Sequence, residues 1–260
     1  MTRLFQAEMR RLAARRAVRW LTLALIGVLF LIGISALRDA GKSPGPGDFV
    51  FRDRAPEGAN IVGGALAVYA FLVGATYAGA EWAAGTVQAL LLWEPRRVRV
   101  LLVKITALSV WVLGVGVLAH AVLTSFAAAA SRSDGSYTGL DGHFWRMLLA
   151  ADARALVMGV FGGALAFGIA GLTHSTGAAL GAGFVYFAIL EQVLRGLVRW
   201  SNPYLVGNAF VAWLNGELVI PLSSTKTVLM TRADGGLVML GYAVVVVGVM
   251  TLLFARRDVT

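Results

Sequence analysis

Six long apolar stretches, separated by short polar segments, constrain the fold of this chain more than any other feature. A helix needs about 20 apolar residues to cross the hydrocarbon core of a bilayer, and each stretch approaches that length with few or no charges. Apolar residues make up 58% of the sequence and charged residues only 14%, well outside the usual shares in soluble domains. The predicted spans are residues 20–37, 59–80, 100–130, 156–172, 177–198 and 236–255.

The continuity of these stretches favours helices over a membrane β-barrel, because barrel strands alternate apolar and polar residues over about 10 positions. The 31 glycines agree with this interpretation, since small residues allow membrane helices to pack closely. We therefore predict an all-α integral membrane protein with one transmembrane domain over residues 1–260.

Basic residues collect at the ends of the predicted spans and give the chain a net charge of +9. They form no single patch with interleaved aromatic residues, which disfavours a nucleic-acid-binding surface. Arginines are dense before the first span, the flank to which the positive-inside rule gives most weight. With an even number of spans, both termini are then predicted to be cytoplasmic.

The segment before the first span, residues 3–19, has the pattern of a basic amphipathic helix. Arg10 and other arginines point away from a face whose members recur at helical spacing. Such a helix lies in the membrane interface, with its apolar side in lipid and its arginines at the headgroups. The predicted face consists of Phe5, Met9, Leu12 and Arg16.

A short polar segment, residues 81–99, separates the second and third spans. It combines an acid at the end of one span, a Gly-Thr pair, an apolar turn and a Pro-Arg-Arg before the next span. This order predicts a short helix that ends before a proline and presents a surface to a cytoplasmic partner. The residues assigned to that surface are Glu81, Gly85, Thr86, Leu90, Trp93, Glu94, Pro95, Arg96 and Arg97.

Taken together, these features resemble the ABC-2 type permease family, the membrane subunits of many bacterial ATP-binding-cassette exporters. The resemblance covers essentially the whole chain and rests on the order of its motifs relative to the six spans. Besides the amphipathic helix, the motifs on which the resemblance rests are Glu81-x-x-x-Gly85-Thr86, Pro95-Arg96-Arg97 and Lys104.

The resemblance implies a role for each of these segments. Residues 3–19 would be the elbow helix, and residues 81–99 would contain the coupling helix that docks on a separate ATPase subunit. Two ATPase copies would bind ATP and magnesium, and a second permease chain, identical or paralogous, would complete the transporter. Spans two and five would line the pathway at the dimer interface, in the plasma membrane of a bacterium.

The chain itself has no recognisable nucleotide-binding loop. Gly41-Lys42-Ser43 resembles the end of one, but the phosphate-loop pattern needs glycine at position 36, where Ala36 stands. No cysteine occurs, and the three histidines lack metal-ligand spacing. We therefore expect no cofactor, metal site or catalytic residue in this chain, and we expect ATP hydrolysis in a partner.

Glu191 and Arg195 lie one helical turn apart in the fifth span. An ionisable pair at membrane depth is a candidate functional site, and mutual neutralisation is the simpler interpretation. Residues 199–235 are predicted to be extracellular. Their apolar stretches 205–214 and 218–222 are too short to span the membrane and predict interfacial or re-entrant helices.

Two other functional classes stay open from the sequence. A membrane-embedded enzyme would need convergent polar groups at membrane depth, of which Glu191 is the best candidate. An ATP-independent carrier usually has broken helices and charges within its spans. For an exporter, the apolar spans suit an amphiphilic or hydrophobic substrate.

Overall fold

The computed structural model describes residues 2–40, 49–94, 96–133, 135–137, 139–223 and 226–256, so the Gly41-Lys42-Ser43 segment lies outside it. Within these residues, six helical segments are long and apolar enough to cross a membrane, in agreement with the predicted all-α membrane protein. The elements are α1 (Thr2–Ala14), α2 (Arg16–Ala40), β1 (Phe49–Val50), α3 (Phe51–Ala83), α4 (Thr86–Trp93), α5 (Arg97–Ser133), β2 (Gly135–Ser136), α6 (Gly142–Thr173), α7 (Thr176–Val185), a π-helical turn (Tyr186–Leu190), α8 (Glu191–Leu197), a 3₁₀ helix (Arg199–Tyr204), α9 (Val206–Asn215), β3 (Glu217–Pro221), β4 (Thr227–Thr231) and α10 (Arg232–Arg256).

Most of the spanning helices are longer than the predicted spans, because a helix satisfies its own backbone hydrogen bonds beyond the apolar part of its sequence. The largest difference is at α6, predicted from residue 156 and observed from Gly142. Its first turn is fixed by Asp141, whose side chain accepts a hydrogen bond from the Phe144 amide at 2.8 Å. The fifth span runs from Thr176 to Leu197, within one residue of its prediction at each end.

Helices α3 and α6 form the centre of the bundle. In their most apolar windows, 61% and 67% of the residues are buried, against 17% in α2, in the fifth span and in α10. The two central helices touch through small residues: a Cβ atom on Gly74 would lie 2.3 Å from the carbonyl oxygen of Gly163. The three peripheral spans therefore leave most of their surface for lipid or for another chain.

The two ends of the bundle differ in construction. At the end that we call the α1 end, α1 and α4 lie beside the last turns of α3, α6 and α10 and the first turn of α5. At the opposite end, which we call the hairpin end, the 3₁₀ helix and α9 lie beside the antiparallel pair β3–β4, in which Leu218 pairs with Met230 and Ile220 with Val228.

Of the two short helices predicted within residues 199–235, one is confirmed. Helix α9 coincides, within a residue, with the predicted stretch 205–214, but the predicted helix at 218–222 is wrong because that stretch forms strand β3. A five-residue apolar run does not distinguish strand from helix by its periodicity. The deciding factor is strand β4, which follows after a short connection, pairs with β3 as an antiparallel hairpin and buries Ile220.

Candidate functional site

A buried cluster of charges lies at the α1 end, where three helices meet. The Lys104 ammonium group of α5 lies 2.9 Å from the Glu8 carboxylate of α1 and 2.6 Å from the Glu81 carboxylate of α3. None of the three side chains is more than 6% exposed. Buried charges persist only where they are paired, so one lysine holds together the two carboxylates of α1 and α3.

Three further side chains complete this charge cluster. Arg11 pairs with Glu8 at 2.9 Å, and Arg15, which follows α1, pairs with Glu81 at 2.9 Å. The Tyr77 hydroxyl donates a hydrogen bond of 2.5 Å to the second Glu8 oxygen. Arg15 also donates to the Thr76 carbonyl oxygen at 3.2 Å. The cluster thus fixes α1 and its connection to α2 against α3 and α5.

The environment of α1 differs from the prediction. Phe5 and Met9 are partly buried and Leu12 is fully buried, but they pack on the protein core instead of lipid. Arg10 is exposed, as expected for the polar side. Arg16 is not part of this helix, because α1 ends at Ala14 and Arg16 is an exposed residue at the start of α2.

Sequence reasoning did not single out Glu8, although one signal was available. It is the one acid among the arginines that precede the first span, and it follows Phe5 by three residues, on the apolar side. An acid on the apolar face of a basic helix indicates a buried cation in another element. That cation is Lys104, which the sequence prediction includes only as part of a motif.

The pKa of Glu8 lies below its ordinary value of 4.5. Burial by itself would raise this pKa, but attraction to Lys104, the hydrogen bonds from Tyr77 and Lys104, and attraction to Arg11 together outweigh the burial. The ionised form of Glu8 is therefore the form that stabilises the folded chain.

Acidification is expected to weaken the attachment of α1. Because the pKa of folded Glu8 is depressed, its stabilising contribution is present above the ordinary value of 4.5 and is lost as the pH falls through the folded pKa. Thermal melting in detergent should therefore show a smaller loss of stability on acidification for Glu8→Gln, which does not titrate, than for the unmodified chain. Parallel pH profiles for the two proteins would contradict this assignment.

A sharp turn separates α3 from α4. Gly85 adopts φ +66°, in the left-handed region that glycine occupies without strain. The Thr86 hydroxyl donates to the Glu81 carbonyl oxygen at 3.1 Å, across this turn. The Gly-Thr pair of the sequence motif is therefore the pair that redirects the chain after the second span.

Helix α4 exposes its last two residues, which are large and apolar. Leu92 is 86% exposed and Trp93 is 89% exposed, whereas Val87 is buried and Leu90 is half-buried. Leu90, predicted to lie on the presented surface, is therefore partly covered, and the exposed pair is Leu92 and Trp93. Exposed apolar residues at the tip of a short helix are typical of a protein interaction site.

The charged residues around α4 do not share one role. Glu81 is buried in the charge cluster and takes no part in the exposed surface. Glu94 lies 3.3 Å from Arg99 of α5, and Arg97 donates to the Phe254 carbonyl oxygen at 3.4 Å, so both make contacts within the chain. Thr86 and Arg96 are exposed, and Pro95 lies outside the described residues.

Aromatic side chains hold the base of α4. The Trp82 ring stacks on the His174 imidazole that follows α6, with centroids 3.8 Å apart and planes at 20°. The Phe254 ring of α10 meets Trp82 edge to face at 5.9 Å. Displacing the turn before α4 would therefore disturb the ends of α6 and α10 as well as the charge cluster.

An apolar groove of about 710 Å³ runs between spans two and five. Its walls come from α3, α6, the fifth span and α9, and Val68 and Phe184 are 63% and 69% exposed along it. The groove is therefore accessible from the side of the bundle, as a binding site for an apolar molecule would be. Other aromatic residues lining it are Phe71, Phe161, Phe187 and Phe210.

Glu191 and Arg195 form the predicted pair, with 2.8 Å between carboxylate and guanidinium. The second Glu191 oxygen accepts a hydrogen bond from the Gly207 amide at 3.1 Å, and the neighbouring Val206 amide donates to the Tyr186 hydroxyl at 3.2 Å. Two otherwise unpaired amides at the start of α9 are thereby satisfied. This geometry favours the interpretation of the pair as mutual neutralisation with a structural role.

Gly207→Ala is expected to loosen α9. A Cβ atom at this position would lie 2.1 Å from the Glu191 carboxylate, so the carboxylate must give up its hydrogen bond or α9 must shift. Overpacking of this kind costs about 1 to 3 kcal/mol in thermal unfolding. The matched control is Gly181→Ala in α7, where a Cβ would meet nothing within 4 Å. Equal melting temperatures for the two variants would contradict this role for Gly207.

No protein-family model matches this chain, and no curated protein matches it. The family resemblance drawn from its motifs therefore stays a prediction.

Proposed function

We propose that this chain is the membrane-spanning subunit of an ABC-2 type exporter, driven by ATP hydrolysis in a separate nucleotide-binding subunit. The observation that carries the proposal is helix α4, which follows the second span through a tight turn and exposes Leu92 and Trp93. A coupling helix needs this combination of a fixed base and an apolar tip. In this proposal α4 docks on the ATPase, and both termini are cytoplasmic.

The charge cluster links α4 to the rest of the bundle, so that a movement of α4 can be transmitted. The Glu81 carbonyl oxygen accepts the Thr86 hydrogen bond, and the Glu81 carboxylate binds Lys104 and Arg15. A displacement of α4 by the ATPase would therefore pull on α1 and α5 together, in a packed and charge-paired region that transmits motion instead of absorbing it. In this account α1 acts as the elbow helix.

The groove between spans two and five supports the proposed substrate class. Its lining is apolar and aromatic, and its volume of about 710 Å³ lies within the range of small-molecule sites. A second permease chain, placed against the exposed side of the groove, would enclose it and complete a transport pathway. An amphiphilic or hydrophobic substrate would then be expelled when the ATPase subunits close.

A membrane-embedded enzyme is less well supported. Its best candidate group, Glu191, binds Arg195 through one carboxylate oxygen and the Gly207 amide through the other, contacts that give it a structural role at the start of α9. Glu191→Gln is thus a test of structure in this protein and not of catalysis.

Affinity purification of the tagged chain in mild detergent tests the proposal. We expect a nucleotide-binding protein to copurify in stoichiometric amount and to hydrolyse ATP. Recovery of the chain alone, under conditions that preserve other transporter complexes from the same membrane, would contradict the proposed function.

A further inference from the structure

A second pocket, of about 380 Å³, lies at the hairpin end. It is bounded by the end of the fifth span, the 3₁₀ helix, α9 and strand β3. It combines basic and amide side chains with an apolar wall, unlike the wholly apolar groove between spans two and five. The polar lining consists of Arg195, Arg199, Asn202 and Asn208, and the apolar wall of Leu218, Val219, Ile220 and Pro221.

Arg199 supplies the uncommitted positive charge of this pocket. Arg195 is neutralised by Glu191, whereas the Arg199 side chain makes no ion pair or hydrogen bond within the described part of the chain. A guanidinium group binds phosphate oxygens through two parallel hydrogen bonds, which makes arginine a preferred partner of phosphate. Arg199 therefore predicts a phosphate or another oxyanion as ligand.

Asn202 adds a second requirement. Its side chain is buried, with 5% of the residue exposed, and its Nδ2 donates to the Arg195 carbonyl oxygen at 3.5 Å, which sets the orientation of the amide. The other amide atom, Oδ1, is buried and has no hydrogen-bond partner among the described residues. A buried acceptor is normally paired with a donor, so a ligand that reaches this oxygen would carry an N–H or O–H group beside its anionic oxygen.

The position of the pocket indicates where such a ligand comes from. The fifth span ends at Leu197, which is 80% exposed, and Trp200 just beyond it is 72% exposed. Tryptophan collects at the level of the lipid headgroups, and a guanidinium group at that level lies within reach of their phosphates. Arg195 and Arg199 lie on either side of this boundary.

We infer that this pocket binds a phospholipid headgroup that carries a hydrogen-bond donor beside its phosphate, as phosphoethanolamine does. Arg199 binds the phosphate, and the ammonium group of the headgroup satisfies Asn202 Oδ1 after a small adjustment of the amide. The apolar wall of strand β3 contacts the glycerol end of the lipid. This inference is independent of the proposed transport function, because it requires neither an ATPase nor a second chain.

Native mass spectrometry of the purified chain, titrated with phosphatidylethanolamine, tests the inference. Arg199→Gln is expected to raise the lipid dissociation constant about tenfold, the effect of one lost charge-assisted contact. Arg199→Lys keeps the charge without the paired donors, so its lipid dissociation constant should lie between those of the unmodified chain and Arg199→Gln. The control is Arg146→Gln, an exposed arginine of α6 outside the pocket, which should leave the constant unchanged.

Comparing two lipids tests the need for a phosphate separately from the need for a hydrogen-bond donor. Phosphatidylcholine has the phosphate but no donor on its nitrogen, so it should bind more weakly than phosphatidylethanolamine. Equal binding of the two lipids, or equal constants for Arg199→Gln and the unmodified chain, would overturn the inference. Competition by free phosphoethanolamine at the same concentration as the lipid would support the headgroup chemistry and identify the source of the ligand as a soluble molecule.

Discussion

Lys104→Met is expected to destabilise the chain by about 3 to 5 kcal/mol, the usual cost of removing one partner from a buried ion pair. The Lys104 ammonium group is the charge shared by Glu8 and Glu81, which remain buried when it is lost. Arg11 and Arg15 still face one carboxylate each, which places the effect towards the lower end of this range. Thermal or denaturant unfolding in detergent measures it.

The combined variant Lys104→Met, Glu8→Gln, Glu81→Gln distinguishes the effect of unpaired buried charges from the effect of altered side-chain packing. Neutral amides need no counter-charge, so this variant should recover part of the stability that Lys104→Met loses. Arg11→Gln is the control, because Arg11 is 49% exposed and its pair with Glu8 should contribute only about 0.2 to 1 kcal/mol. A Lys104→Met loss no greater than that of Arg11→Gln would show that the charge cluster does not hold α1.

Trp93→Asp is expected to weaken binding of the proposed ATPase partner by about 2 kcal/mol or more, or roughly thirtyfold in the dissociation constant. Tryptophan residues at the centre of an interface often contribute most of its binding energy, and Trp93 is 89% exposed in the single chain. Leu92→Asp should act in the same direction. The measurement is the amount of ATPase that copurifies at a series of concentrations.

The matched control for this experiment is Trp93→Phe, which keeps an aromatic surface and should retain most of the binding. Because the side chain is exposed, Trp93→Asp should change the unfolding free energy by no more than about 0.5 kcal/mol. Undiminished copurification of the ATPase with both Trp93→Asp and Leu92→Asp would show that α4 is not part of the docking surface.

The spans could be predicted from the sequence because the bilayer imposes a length and a composition on each of them. The turn at Gly85 was not among the predictions, although a glycine followed by a hydroxyl residue at the end of a helix is a local signal of a change of direction. Both features depend only on residues that are close together in sequence. The bounds of α6 were missed because its first turns continue beyond the apolar part of the sequence.

The charge cluster could not be predicted as a whole, because it joins residues that are far apart in sequence. Glu8 and Lys104 are 96 positions apart, and Glu81 and Arg15 are 66 apart. Phe5, Met9 and Leu12 were correctly placed on one face of α1 and Arg16 was not, but the pattern does not distinguish a lipid surface from a protein surface, since both favour apolar contact. Strand β3 was missed for a different reason, because a five-residue apolar run fits a helix as well as a strand until its pairing with β4 is known.

The most direct test of the central claim is photocrosslinking from position 93 in native membranes, with a photoreactive amino acid in place of Trp93. We expect a crosslink between the tip of α4 and a nucleotide-binding ATPase subunit, identified by mass spectrometry, and none to that subunit from position 20, which is exposed near the start of the first span. Crosslinks from position 93 to lipid alone would contradict the proposal that α4 couples this chain to an ATPase.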